Sequence, residues 1–433
     1  MFLTDDEKRM RDGAEGDAVA AAMDLLIRYG FALEAERLCS IRNVAGTMTQ
    51  PSPVKARLVA EGGWDKAFAV INLDSDLDLT IPSMRVPTCQ LQHGFGPDSV
   101  DIVPYPPANV ALQDDAESFY GRHGVNILAT CTPYQVGNLP LRGEHCAWME
   151  SSAVIYANSV LGARTNCEGI ASTGAASLTG KIPCWGNHLD AHRHGTHLIS
   201  VQGLTVESFQ DWGLLGYFAG GVAGEDRPVI TGSISRPDLT ELKHFGAAAA
   251  TSGGVELYHI PGITPEAPTV EAAFNGAAFN GAAAVPSAVV YGPAERRAMY
   301  ETLNEIGSCS DVDFVLLGCP HASVDQIRRA AELLDGRRLS SSTELWIMAP
   351  RALKVIADRS GYTAVIERAG GRVLADSCPA MSRAAPAGTR VFATDSAKQA
   401  HYLPAILGIE AWFGTLEECI DAAVTGRWNG ELN

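Results

Sequence analysis

The chain has 433 residues, 46% hydrophobic and 19% charged, with a formal net charge of −17. That length supports two or three domains or one large α/β body, and the apolar share excludes a disordered chain. The acidic balance argues against nucleic acid and anionic membrane as partners, because affinity for both depends on Lys and Arg.

The N-terminal MFLTDDEKRM shows no basic region leading into an apolar run, and no stretch reaches the roughly 18 uninterrupted apolar residues of a membrane span. A cytoplasmic protein is expected. Thr4 and Glu7 have the spacing of a capping box ahead of an apolar-periodic run that ends at Gly30, which predicts a helix. Phe31 to Arg37 reads as a second, short helix. AFAVINL (67 to 73) and GVNILATC (124 to 131) are short apolar runs bounded by turn residues and read as buried strands, with a Gly- and Pro-rich loop from Pro82 to Pro107 between them. ESSAVIYANSVLG predicts a helix ending near Gly162. Residues 246 to 286, with FGAAAATSGG and AAFNGAAFNGAAA at and after their start, read as a pliant Gly/Ala-rich connection rather than a close-packing device. Beyond it SAVVYG, DFVLLG, ELWIMA and RVFATD read as strands, with helices over 293–306, 323–335 and 350–359, the alternation of a mostly parallel sheet covered on both faces. The expected division is 1–245, the 246–286 connection and 287–433.

The sequence holds ten cysteines and no CxxC pair, so most are expected to be reduced, buried thiols, and a metal site would have to gather ligands from distant segments. Three share a context. Cys131, Cys319 and Cys378 each follow a strand-like run and each has a proline within two residues. In open parallel sheets ligands bind outside the carboxyl ends of the strands. Three thiolates there suit a soft metal centre such as an iron–sulfur cluster with one open coordination position. Ser396 and Lys398 end another strand. A rival set lies in NHLDAHRHGTH, where His188 and His192 have the spacing for one helix face around a zinc ion; a solvated polar loop, or one histidine plus Arg193 holding a substrate carboxylate, is preferred to it. P-loop, G-x-G-x-x-G and G-x-S-x-G patterns are absent.

TCTPY, ESSAVIYANSVLGARTN, HIPGITPEAP, LLGCPH and FATDSAKQAHYLP together resemble the large, cluster-binding part of aconitase X, a branch of the aconitase superfamily. The resemblance runs nearly end to end. It implies an α/β fold of aconitase-like multi-layer αβα domains with mostly parallel sheets and an active site in the crevice between them. It implies an iron–sulfur cluster, [4Fe-4S] or [2Fe-2S], on Cys131, Cys319 and Cys378, and a hydro-lyase that eliminates water from a small hydroxy acid. Cis-3-hydroxy-L-proline, giving pyrroline-2-carboxylate, is the first expectation, and mevalonate 5-phosphate the alternative. By motif position, substrate binding falls to Ser151, Ser152, Asn158, Arg164, Thr165, Asn166, His188 and Arg193, and catalysis to Ser396 and Lys398. A swivelling small domain that carries the base in the superfamily is expected as a separate subunit. Cys167 stands where relatives commonly have arginine, and Cys184 where the residue is usually acidic. CSIRNVAGTM and PTCQLQ also lack the His and Asn of the family's early motifs, which leaves the substrate open. A zinc hydrolase and a non-catalytic small-molecule binding subunit are the alternatives from other classes.

Overall fold

The computed structural model describes residues 1–47, 50–103, 105–274, 286–305 and 307–432. From the first part come β1 (Leu38–Ser40), β2 (Val44–Thr47), β3 (Thr88–Gln90), β4 (Val125–Asn126), β5 (Ala147–Trp148) and β6 (Lys181–Pro183). The middle four form a parallel sheet in the order β4-β3-β2-β5, while β1 pairs antiparallel with β6. A second parallel sheet, ordered β8-β7-β9, joins β7 (His197–Val206), β8 (Pro228–Ile234) and β9 (Val289–Tyr291). The third comprises β10 (Phe314–Leu317), β11 (Glu344–Ala349), β12 (Arg372–Ala375), β13 (Val391–Thr394) and β14 (Glu410–Phe413). All its pairs are parallel, in the order β12-β11-β10-β13-β14. Such a doubly wound sheet has a topological switch point, here between β10 and β13, where a crevice opens at the carboxyl ends.

The multi-layer α/β architecture agrees with expectation. The third sheet is apolar on both faces: Val315, Leu317 and Ile347 meet one helical layer and Phe314, Leu316 and Trp346 the other. Helix Val324–Leu334 is capped by Ser323 and buries Ile327, Ala330, Ala331 and Leu334, one stripe at helical spacing.

Several local expectations are corrected. The Thr4–Glu7 capping box is present, but it starts a helix of only Asp5–Arg11; Gly13 and Gly16, at φ 88° and 95°, break the run before helix Asp17–Ala32. That helix passes through Gly30, so Phe31–Arg37 is no second helix. AFAVINL is the end of helix Pro53–Leu73, not a strand; a seven-residue apolar run fits a buried helix segment equally well. Only Val125–Asn126 of GVNILATC is extended pairing, so Cys131 lies on a loop five residues past β4. FGAAAATS belongs to helix Leu239–Ser252 and is buried through Thr251, so the expected connection does not begin at 246. Its small residues permit close approach to helix Phe209–Ala223: a Cβ on Gly216 or Gly220 would lie 2.3 Å from the carbonyl oxygen of Phe245 or Ala249. Most of the near-repeat, from residue 275 to 285, lies outside the described residues. SAVVYG supplies β9 to the second sheet, so 287–292 packs with the middle of the chain rather than with the C-terminal sheet. Among the described residues, no helix is long and apolar enough to cross a membrane.

Candidate active site

Cys319 leaves the end of β10, Cys378 follows β12, and Ser396 and Lys398 follow β13, so the carboxyl edge of the third sheet presents four of the expected residues. Cys131 comes from the first part and meets this edge through His321, whose backbone N–H donates to its Sγ at 3.3 Å. The three thiols share one electrostatic environment. Burial raises all three, taking Cys319 up to about 12; Cys319 further raises Cys131, and Cys378 further raises Cys319.

The loops carrying the thiols are stitched together. The imidazole of His321 bonds to the Ser377 carbonyl through Nε2 at 3.0 Å and to Thr130 Oγ1 through Nδ1 at 2.9 Å. A carbonyl only accepts, so Nε2 carries the proton and Nδ1 receives the threonine hydroxyl. Burial holds this ring neutral, with its pKa down to about 4. Gly96 N–H donates to Ser377 Oγ at 2.8 Å and Cys378 N–H to the Gly94 carbonyl at 3.3 Å, anchoring the Cys378 loop on the first part.

Two lysines lie close enough to Cys131 and Cys319 to feel their charge. Lys398 Nζ lies 2.6 Å from Glu150 Oε1 and 2.6 Å from Ser152 Oγ. Burial opposes its charge, but Glu150, Cys319 and Cys131 outweigh that and raise its pKa. Lys243 is buried and donates to the His321 carbonyl and Gln326 Oε1, both at 2.8 Å; burial lowers its pKa to about 8. Ser396 caps helix Ala397–Leu407 and bonds toward the Cys319 thiol. Ser152 is buried and Ser151 half-buried on the first turn of helix Ser151–Tyr156, whose N-cap is Glu150. Sequence reasoning passed over Glu150, Lys243 and the clasping role of His321; a charged residue inside otherwise apolar company was the available signal for the first two.

The other expected substrate ligands form a separate network. Asn158 donates to the Thr165 and Glu256 carbonyls and accepts from Thr165 N–H. Thr165 Oγ1 accepts from Trp148 N–H and donates to the Asn166 carbonyl. Arg193 spends all five N–H groups inside the protein, on Glu266, Asn158, Asn187 and Ala163. Arg164 bonds the His188 carbonyl and pairs with Asp190. Asn166 does line a cavity with Trp185, Asn187, His192, Arg227 and Glu256. Cys167 joins the two regions: it is exposed, its N–H donates to Glu256 at 3.0 Å, and both Glu150 and Lys398 act on its thiol.

The histidine run does not share a helix face, because His188 and His192 occupy different 3-10 turns. His188 instead faces His145, Nδ1 to Nδ1 at 2.9 Å. Burial first, then neighbouring positive groups, lower both, His188 to about 3. Eight cysteines are free, whereas Cys39 and Cys184 form a disulfide.

Comparison with known proteins identifies the family. The first, second and third domains of aconitase X match residues 1–191, 195–289 and 312–425. The chain belongs to the aconitase X family. The crystal structure of Thermococcus kodakaraensis aconitase X, in its holo-form, superposes with a TM-score of 0.80 at 32% identity, covering 98% of this chain and all of that one. The aconitase X relatives include the phosphomevalonate dehydratase large subunit of Methanocaldococcus jannaschii, 34% identical over 97% of this chain and 99% of that protein. Also similar is the cis-3-hydroxy-L-proline dehydratase of Hypocrea jecorina, 31% identical over 99% of this chain but 70% of the longer relative. As an aconitase X protein whose relatives are dehydratases, the chain is a hydro-lyase.

Proposed function

We propose that this chain is the large subunit of an iron–sulfur hydro-lyase that removes water from a small hydroxy acid, with Cys131, Cys319 and Cys378 holding the cluster. The convergence of three thiols from three loops, Cys131 buried and Cys319 and Cys378 half-buried, close enough to act on one another's charge, carries this reading. The donor set fits: thiolates are soft ligands, and three of them leave one metal position open. Bound there, the cluster would supply a Lewis-acidic iron for the leaving hydroxyl.

The chain's own residues do the rest. Lys398 keeps its proton, since Glu150 at 2.6 Å stabilises the ammonium, so it acts at Nζ as a hydrogen-bond donor and not as a base. Glu150 and Ser152 fix its direction, and Ser396 is engaged with Cys319. Ser152, whose Oγ meets Lys398 Nζ at 2.6 Å, and half-buried Ser151 on the same helical turn are the hydroxyls we assign to substrate. The abstracting base therefore comes from outside this group, which favours a separate small subunit that completes the site. The near-complete match to proteins named large subunits supports that arrangement.

Cis-3-hydroxy-L-proline is the preferred substrate, because Lys398 and Lys243 are already committed to protein groups and offer no free cationic cradle for a phosphate. Mevalonate 5-phosphate is the second reading, favoured by the names of the large-subunit relatives. Anaerobic purification with iron and acid-labile sulfide analysis tests the cofactor: both should be present and be lost in Cys131→Ser, Cys319→Ser and Cys378→Ser. A full cluster in all three variants overturns the ligand set. Turnover of each substrate with the small subunit added separates the two readings.

A further inference from the structure

A second metal-ligating cluster lies apart from the three thiols. Cys39 Sγ and one ring nitrogen each of His145 and His188 all fall within 4.8 Å of one another. The residues come from three places in the sequence: Cys39 from β1, His145 from the segment leading into β5, and His188 from the turn Gly186–His188. Cys184, just beyond β6, joins them through its disulfide with Cys39, the two Cα atoms being 5.1 Å apart. Cys39, Cys184 and His188 are buried, at 3%, 3% and 2% exposure, while half-buried His145 opens toward solvent. The Nε2 of His188 is buried with no hydrogen-bond partner among the described residues, so protein hydrogen bonding alone does not account for the ring.

We infer that Cys39, His145 and His188, joined by Cys184 when the disulfide is reduced, bind one soft divalent cation of the zinc class. Tetrahedral zinc, with bonds of about 2.0–2.1 Å to nitrogen and about 2.3 Å to sulfur, places its ligand atoms roughly 3.3 to 3.8 Å apart. The 2.9 Å between the two Nδ1 atoms and the 4.8 Å bound on the triad bracket that spacing. Charge agrees as well: two thiolates neutralise a dication, and Arg37, Arg164 and Arg193 nearby disfavour a cation held by imidazoles alone. Reduction by a dithiol breaks the Cys39–Cys184 bond and transfers two electrons and two protons, the dithiol becoming a disulfide. Binding the cation then releases both thiol protons to solvent. The site ties the β1/β6 pair to the loop ahead of β5 and to the His188 turn.

The test uses the full chain, reduced with a dithiol, freed of reductant and metal under anaerobic conditions, and titrated with zinc against a chromophoric competitor and separately with cobalt(II). One equivalent beyond any held by Cys131, Cys319 and Cys378 should bind, with a thiolate-to-cobalt charge-transfer band and tetrahedral ligand-field bands that persist in Cys131→Ser. Cys39→Ser and His188→Gln should lose that equivalent, and Cys131→Ser should keep it. If Cys39→Ser does not fold, His145→Gln at the half-buried position reads the same loss. Failure of the reduced chain to bind, or binding that survives these changes and disappears in Cys131→Ser, overturns the assignment. Iron and sulfide contents measured on the same variants report the cluster reading separately.

Discussion

His321 holds the Ser377 carbonyl with its Nε2 proton at 3.0 Å while its own backbone N–H reaches Cys131 Sγ at 3.3 Å. One residue thus clasps the three thiol loops, since Thr130 on the Cys131 loop completes its hydrogen bonding. Removing it strands the buried Ser377 carbonyl, at about 1–3 kcal/mol for an unsatisfied group, leaves Thr130 Oγ1 only its bonds to Thr132, and opens a cavity where the ring was. His321→Ala is expected to lower the unfolding free energy by about 2–4 kcal/mol and to cut iron and sulfide content although every thiol remains. Urea denaturation and metal analysis read both effects; full cluster content in the variant would remove His321 from its positioning role.

Lys398 and Glu150 form a buried ion pair at 2.6 Å, with side chains 17% and 9% exposed. Taking away one partner leaves an uncompensated charge, so Lys398→Met is expected to cost about 3–5 kcal/mol and to abolish turnover. The double variant Lys398→Met with Glu150→Gln should recover much of the stability and none of the activity. A double-mutant cycle by denaturation, with turnover measured alongside, separates the two contributions.

Gly96 is needed for close approach, because a Cβ there would lie 2.2 Å from the Ala375 carbonyl oxygen at the end of β12. Gly96→Ala pushes the two loops apart where Cys378 is anchored. A loss of about 1–3 kcal/mol is expected, as for other overpacked sites, with lowered cluster content. Wild-type thermal stability in this variant would show that the loops yield freely.

Arg193 offers its N–H groups to Glu266, Asn158, Asn187 and Ala163. Arg193→Met should therefore destabilise the fold, by about 3 kcal/mol for a broken buried pair, as read by urea unfolding. A variant of unchanged stability with a raised KM would place this guanidinium on the substrate instead.

His244 donates through Nδ1 to the Phe209 carbonyl and accepts the Ala397 N–H at Nε2, between Ser396 and Lys398. Burial lowers its pKa to about 3 from the usual 6.5. Between those values the unfolded chain carries a proton that the folded chain lacks. The stability it contributes is present above about pH 6.5 and declines as pH falls toward 3, by about 1.4 kcal/mol per pH unit within the window. Unfolding free energies measured from pH 7 to pH 4 should show a shallower slope in His244→Phe than in the parent.

The C-terminal sheet was legible because DFVLLG, ELWIMA and RVFATD are continuous apolar runs between amphipathic helices, the pattern of strands buried on both faces. Strand ends at Cys319, Cys378 and Ser396 followed from it. AFAVINL misled because seven apolar residues carry no period that separates helix from strand, and the deciding partners lie elsewhere in the chain. FGAAAATS looked pliant because a small residue serves both a flexible link and a tight helix crossing, and only the facing Gly216 and Gly220 distinguish them. Glu150 and Lys398 are 248 positions apart, and Cys39 and His188 belong to different elements, so pairings of this kind leave no local spacing to read.

The three loops held by His321 begin at residues as distant as Cys131 and Cys378. A chain emerging from the ribosome has made the first thiol long before the last, and its early part can fold by then. Under the proposed ligand set, cofactor loading is consequently a late event in biogenesis, deferred until more than three quarters of the polypeptide exists, with Cys131 a free thiol throughout that interval.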